Sequence, residues 1–207
     1  MDVKNFKQLP ILGILRGITK DAIEPLIESA CASGLKTIEI TMNTANADSL
    51  IRLALTASRK RLTIGAGTVT SMKILKTALS AGATFIVMPV LIKDIVTYCI
   101  KNKIPVFPGA LTPQEIYNAW EAGATMVKVF PSGFFGPEYF KEIKGPFADI
   151  QLLACGGVKP GNMKDYFSNG ACAISFGASV FKKEWLAKKD YASIEKAIKG
   201  FIEEYNK

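Results

Sequence analysis

Eight short apolar runs follow one another along this chain, each separated from the next by a polar or amphipathic stretch, and that alternation restricts the possible folds more than any other feature. The runs are Ile11 to Leu15, Thr37 to Met42, Leu62 to Ile64, Phe85 to Met88, Pro105 to Phe107, Met126 to Phe130, Gln151 to Ala154 and Cys172 to Phe176. They are too short for helices and read as buried strands. Amphipathic stretches of helical length lie between them, among them Asp21 to Ser33, Ala47 to Ser58, Ser71 to Ala81, Lys93 to Asn102 and Pro113 to Ala122. A glycine ends the helix before each even strand, at Gly34, Gly82, Gly123 and Gly170, and the similar phrases Ala81-Gly82-Ala83-Thr84 and Ala122-Gly123-Ala124-Thr125 mark a repeated unit. Eight tightly spaced strand–helix pairs predict a closed (β/α)8 TIM barrel, one domain over residues 1–207. A doubly wound sheet would more often carry a glycine-rich dinucleotide turn after its first strand, and no G-x-G-x-x-G occurs.

Composition narrows the chemistry. The chain has no histidine, which removes Ser-His-Asp and Cys-His catalysis, imidazole-ligated metals and histidine general bases. Cys31, Cys99, Cys155 and Cys172 are scattered without a C-x-x-C pair, which argues against a zinc knuckle, a redox motif or a disulfide framework. No apolar stretch is long enough to span a bilayer, and Met1 to Phe6 lack the apolar core of a secretory signal, so the expected setting is the cytoplasm with no membrane partner. The formal charge of +8 comes mostly from dispersed lysines. Its densest cluster, Arg59-Lys60-Arg61, reads as a solvated loop rather than a nucleic-acid patch.

In a barrel of this kind the chemistry sits at the carboxyl ends of the strands. The sixth run, Met126-Val127-Lys128-Val129-Phe130-Pro131, carries a lysine among apolar residues. Alternation puts Val127 and Val129 on one face and Met126, Lys128 and Phe130 on the other, so Lys128 points into the barrel. Burial disfavours the charged form of an ammonium, and a free amine can attack a carbonyl carbon. Lys128 is therefore either a Schiff-base nucleophile or a strand-end lysine whose head reaches water or a carboxylate. On the second strand Ile38, Ile40 and Met42 face the outer helices, which turns Thr37, Glu39 and Thr41 inward. Glu39 is either a proton shuttle beside an amine or half of a structural ion pair.

The remaining strand ends supply Arg16-Gly17, Asn43, Gly65-Ala66-Gly67-Thr68, Pro89, Pro108-Gly109, Gly156-Gly157 and Gly177. Arg16 and Thr68 fit a carboxylate site, or a surface charge and a helix cap. Gly156-Gly157, before a helix from Asn162, and Gly177-Ala178-Ser179 occupy the two loops that often hold a phosphate in such barrels, though either could be an ordinary turn. Trp120, Phe134 and Phe135 read as packing residues rather than ligand platforms.

The phrases Ile14-Leu15-Arg16-Gly17, Ile38-Glu39-Ile40, Gly65-Ala66-Gly67-Thr68-Val69, Val127-Lys128-Val129-Phe130-Pro131 and Gly156-Gly157-Val158 together resemble the 2-keto-3-deoxy-6-phosphogluconate / 4-hydroxy-2-oxoglutarate aldolase family, including its 6-phosphogalactonate branch, over almost the whole chain. The resemblance implies a class I aldolase that releases pyruvate and glyceraldehyde 3-phosphate from a phosphorylated keto sugar acid, as a homotrimer without a metal or other cofactor. It implies that Lys128 forms the Schiff base, Glu39 shuttles protons, Thr68 helps hold the pyruvate carboxylate, and Arg16 and Phe130 line the pocket. Pro89, Asn43 and Cys155 join these as substrate-binding candidates, and Gly156, Gly157, Gly177, Ala178 and Ser179 as phosphate-binding ones. The sequence departs from many gluconate-type members at Asn43, Cys155 and Ala178, where arginine, threonine and serine are usual. Asn43, Ala154-Cys155, Phe130-Pro131-Ser132 and Phe135-Gly136-Pro137 look closer to the galactonate branch, and Gly145-Pro146-Phe147 to the gluconate branch. Other readings are 4-hydroxy-2-oxoglutarate cleavage as the main activity, a phosphosugar isomerase or epimerase, and a non-catalytic sugar-phosphate-binding barrel. The isomerase has no need of a buried lysine on strand six, and the binding protein none of Glu39 and Lys128 on one axis.

Overall fold

A short helix, α1 (Val3–Gln8), precedes the first strand, and its buried Phe6 closes one end of the barrel in a computed structural model that describes residues 1–207. The strands and helices then alternate: β1 (Ile11–Leu15), α2 (Lys20–Ala32), β2 (Thr37–Thr41), α3 (Ala47–Ser58), β3 (Thr63–Gly67), α4 (Met72–Ser80), β4 (Ile86–Val87), α5 (Lys93–Lys101), β5 (Val106–Phe107) and β6 (Gly109–Ala110). The second half continues with α6 (Pro113–Glu121), β7 (Val127–Val129), α7 (Glu138–Lys144), β8 (Leu152–Cys155), α8 (Pro160–Ser168), β9 (Ala171–Phe176), α9 (Lys183–Ala187) and α10 (Tyr191–Asn206). All strand pairs are parallel, in the order β5-β4-β3-β2-β1-β9-β8-β7-β6.

Nine strands make eight staves. β5 and β6 are the two halves of the expected fifth strand, parted by Pro108, which has no N–H to give to a ladder. The proline keeps its acceptor: Lys128 N–H donates to the Pro108 carbonyl at 2.9 Å, and Met88 N–H to the Phe107 carbonyl at 3.0 Å. β5 therefore pairs with β4 and β6 with β7, and the ring closes at a single stave.

Alternation sorts the apolar residues into two bodies. Leu12, Phe85, Val87, Phe107, Met126, Leu153, Cys155 and Ala173 pack with Phe6 inside the barrel, while their sequence neighbours Ile11, Ile86, Val127, Leu152 and Ile174 join the larger core between strands and helices. Strand three runs on to Gly67 instead of ending near Ile64, because its glycines leave room that neighbouring side chains fill. A Cβ on Gly65 would strike the Phe85 ring, and one on Gly67 the Glu39 carboxylate.

The Phe6 ring meets Phe107 edge-on at 6.1 Å between centroids, and Phe107 meets Phe85 likewise at 5.9 Å. Truncating Phe6 removes the ring that fills this end. Phe6→Ala should cost about 3 kcal/mol of unfolding free energy in urea, the lower end for a buried phenylalanine, while activity per folded molecule stays unchanged. A loss below ~1 kcal/mol would mean that α1 is not part of the barrel's core.

Candidate active site

Because the strands are parallel, their carboxyl ends gather at the end of the barrel opposite Phe6. Lys128, in the middle of β7, lies between Gly109 of β6 and Leu153 of β8 and is 5% exposed. Its head is free of ion pairs, and Nζ lies 5.2 Å from the centroid of the Phe130 ring. Of the bland expectation, a strand-end lysine reaching water or a carboxylate, the geometry removes the carboxylate half: the head pairs with none.

Glu39 sits at the centre of β2, paired in register with Ile14 and Gly65. It is 1% exposed, and neither carboxylate oxygen has a hydrogen-bond partner. An ion pair at contact distance is thus excluded. Burial pushes its carboxyl above the ordinary glutamate value, and the charges of Lys128 and, more weakly, Arg16 pull it part of the way back. A buried carboxyl without partners costs folding energy, which makes it a strong candidate for chemistry rather than scaffolding. Glycine at Gly67 is what allows it: any side chain there would displace the carboxylate.

Arg16, exposed at the end of β1, extends Nη2 to within 3.4 Å of Thr68 Oγ1. Thr68 is half-buried just after β3 and has a left-handed backbone, φ 56°. The turn that holds Arg16 is pinned by a buried relay that the sequence reading missed. The Gly17 N–H donates to Thr44 Oγ1 at 2.9 Å, and Thr44 and Thr41 share a hydroxyl hydrogen bond at 3.0 Å. Two threonines ending a strand were the available signal, but their partner lies on another strand end.

Cys155 ends β8 on the inner face, packed in the same interior cluster as Leu153. Pro89 follows β4 half-buried, with its carbonyl packed where a side chain on Gly109 would lie. Asn43 stands exposed in the turn after β2. Gly156 and Gly157 both adopt positive φ, 94° and 78°, and α8 begins at Pro160, two residues earlier than the expected Asn162. Ala178 and Ser179 are exposed in the turn after β9, where Val180 and Phe181 N–H donate back to the Gly177 carbonyl. The N–H groups of Gly157, Ala178 and Ser179 have no acceptor within the chain.

The aromatic expectation needs correcting at Phe134 and Phe135. Phe134 is 84% exposed, and Phe135, although stacked on Tyr139 at 5.0 Å, is also exposed. Both sit in or beside the single 3-10 turn after β7, too short to reach the core. Trp120 does pack against the core as expected. A cavity lined by Met1, Leu55, Lys60 and Thr84 lies at the other end of the barrel and contains none of the candidate groups. No helix is long and apolar enough to cross a membrane.

Comparison with known proteins agrees with this arrangement. The family model for KDPG and KHG aldolase matches residues 3–197. The chain is 31% identical over 176 residues to a 2-dehydro-3-deoxy-6-phosphogalactonate aldolase of Escherichia coli, covering 84% of this chain and 86% of that one. It is 31% identical over 198 residues to a 2-dehydro-3-deoxy-phosphogluconate aldolase of Pseudomonas aeruginosa, covering 95% and 88%. The solved native KDPGal structure superposes with a TM-score of 0.89 at 29% identity, over 96% of this chain and 95% of the other. With the charge of Lys128 acting on the buried Glu39 carboxyl inside a barrel of this shape, the chain belongs to the KDPG and KHG aldolase family and is an aldolase, a carbon–carbon lyase.

Proposed function

We propose that this aldolase is of the class I type and cleaves a 2-keto-3-deoxy-6-phospho-sugar acid, of the gluconate or galactonate series, to pyruvate and glyceraldehyde 3-phosphate. The observation that carries the reading is the buried Lys128 without an ion-pair partner, close enough to the buried, unpartnered Glu39 for its charge to act on that carboxyl.

The roles follow from the chemistry. The Lys128 amine adds to the C2 carbonyl of the substrate, and loss of water from the adduct leaves an iminium ion. The positive nitrogen accepts the electron pair of the C3–C4 bond as it breaks. The C4 hydroxyl loses its proton to the Glu39 carboxylate and becomes the aldehyde of the departing glyceraldehyde 3-phosphate. Glu39 then returns that proton to C3 of the enamine, and water hydrolyses the new iminium to release pyruvate and the free amine. A carboxyl whose affinity for protons is raised by burial and lowered by a neighbouring cation suits both halves of this exchange. Arg16 and Thr68, in contact at 3.4 Å, fit the substrate carboxylate, and the Phe130 ring, 5.2 Å from Nζ, forms the apolar wall beside the imine. Pro89, Asn43 and Cys155 line the substrate's path, and Cys155 and Asn43 bear on which sugar series is preferred.

The free N–H groups of Gly157, Ala178 and Ser179, with Gly156 and Gly177 shaping their turns and the start of α8 nearby, fit the phosphate. Ala178 lacks the hydroxyl usual at this position, and losing one such donor costs about 0.5–1.5 kcal/mol when backbone donors carry most of the binding. The chain acts as one barrel domain over 1–207 in the cytoplasm, and as a homotrimer, which would give the exposed Phe134 and Phe135 rings a surface to cover.

Coupled detection of pyruvate tests the substrate. Catalytic efficiency on 2-keto-3-deoxy-6-phosphogluconate and its galactonate epimer should exceed that on unphosphorylated 4-hydroxy-2-oxoglutarate. Ala178→Ser should raise efficiency on the phosphorylated pair alone, by roughly two- to tenfold. A preference for hydroxyglutarate in the unaltered protein would overturn the phosphate reading.

A further inference from the structure

The glycine turn after β8 is gripped at two successive carbonyls. Ser132, 1% exposed, donates its hydroxyl to the Gly156 carbonyl at 2.7 Å. Asn162 donates its side-chain amide to the Gly157 carbonyl at 3.1 Å and accepts from the Lys159 N–H at 2.8 Å. In a trans peptide the C=O of one residue and the N–H of the next point to opposite sides of one rigid plane. Holding the Gly156 carbonyl therefore aims the Gly157 N–H, and holding the Gly157 carbonyl aims the Val158 N–H. Neither of those N–H groups finds an acceptor within the chain.

Ser132 is itself held fast. The Tyr166 hydroxyl lies 3.4 Å from its carbonyl in a buried position. Its neighbour Gly133 packs backbone to backbone on the glycine turn: a Cβ on Gly157 would lie 2.6 Å from the Gly133 Cα, and one on Gly133 would lie 3.0 Å from the Gly157 Cα. No side chain fits between the two turns. The segment that leaves the Lys128 strand and the turn that carries the free donors are thus joined both by contact and by the serine hydroxyl.

We propose that Ser132 is a positioning residue for phosphate recognition: it aims the Gly157 N–H at the substrate phosphate and fixes that donor relative to the strand bearing Lys128. This rests on the phosphorylated-substrate reading above. A hydroxyl that only stabilised the fold would affect every substrate alike. One that orients a phosphate donor affects only the substrates that carry phosphate.

The test compares the unaltered protein with Ser132→Ala on 2-keto-3-deoxy-6-phosphogluconate, its galactonate epimer and 4-hydroxy-2-oxoglutarate. Inhibition of hydroxyglutarate cleavage by inorganic phosphate is measured alongside. KM for the phosphorylated pair should rise roughly tenfold and inhibition by phosphate weaken by a similar factor, the scale of one well-placed hydrogen bond, with kcat and hydroxyglutarate efficiency within about twofold. Ser132→Cys, nearly isosteric but a weaker donor, should fall between the two and serves as the comparison if the alanine variant is unstable. Unchanged KM on the phosphorylated pair, or an equal loss on all three substrates, overturns the role of Ser132 while leaving the phosphate reading intact. Absence of any phosphate preference in the unaltered protein overturns both.

Discussion

Lys128→Arg should lower turnover by on the order of 10⁴-fold or more, because removing a covalent nucleophile eliminates the intermediate instead of weakening it. Arginine keeps the positive charge beside Glu39 but stays protonated at any pH the fold survives, so it offers no free amine to a ketone. The substitution thus separates charge from nucleophilicity. Trapping identifies the atom. Incubation with pyruvate and borohydride should add one reduced pyruvyl group to the peptide containing Lys128, detected by mass spectrometry, and none to the arginine variant. Labelling of another lysine in active protein would sink the assignment. Lys128→Met, of similar length and suited to the apolar interior, guards against a variant that fails only because the guanidinium does not fit.

Glu39→Gln should slow proton transfer by roughly 10²–10⁴-fold, the usual range for a positioned acid–base group, while still permitting Schiff-base formation. Exchange of the pyruvate methyl protons in heavy water, followed by NMR, should fall in parallel with turnover. Exchange at the unaltered rate would move the role to another residue. The same variant has a signature in stability. Burial raises the Glu39 carboxyl above its ordinary 4.5 in the folded state, despite the opposing charges of Lys128 and Arg16. The folded protein therefore holds the proton more tightly than the unfolded chain. That contribution to stability is fully present below pH 4.5 and is lost as pH rises through the raised folded value. Glutamine carries no such dependence. The Tm of Glu39→Gln should exceed that of the unaltered protein above this window, and the gap should close as pH falls toward 4.5. Parallel Tm profiles for the two proteins would show that the carboxyl is not held in a desolvated site.

The barrel, the inward face of Lys128 and Glu39, and the two glycine turns were legible in the sequence because each depends on a short-range rule. Alternation along a strand tells which residues share a face, and glycine before a run tells where a helix ends. Those rules are local, so they survive without coordinates. They do not name the neighbour across the sheet. Pro108 splits a stave without opening the barrel because its carbonyl meets the Lys128 N–H, and Gly67 must be glycine because Glu39 fills its place. Phe6, from a helix that the sequence reading passed over, fills the barrel's far end, and Phe134 stays exposed because its turn is too short to fold back onto the core. Ser132 finds its acceptor on a different stave, so nothing near it in the sequence reveals the bond. The same limit applied to the chemistry: the residues by themselves left Lys128 and Glu39 open as either a structural ion pair or a nucleophile with its proton shuttle. Closure of the barrel buries the Glu39 carboxylate without a partner and leaves Lys128 without an ion pair, so the two make no contact ion pair, and desolvation is set by the atoms that surround a group rather than by those that precede it in the chain.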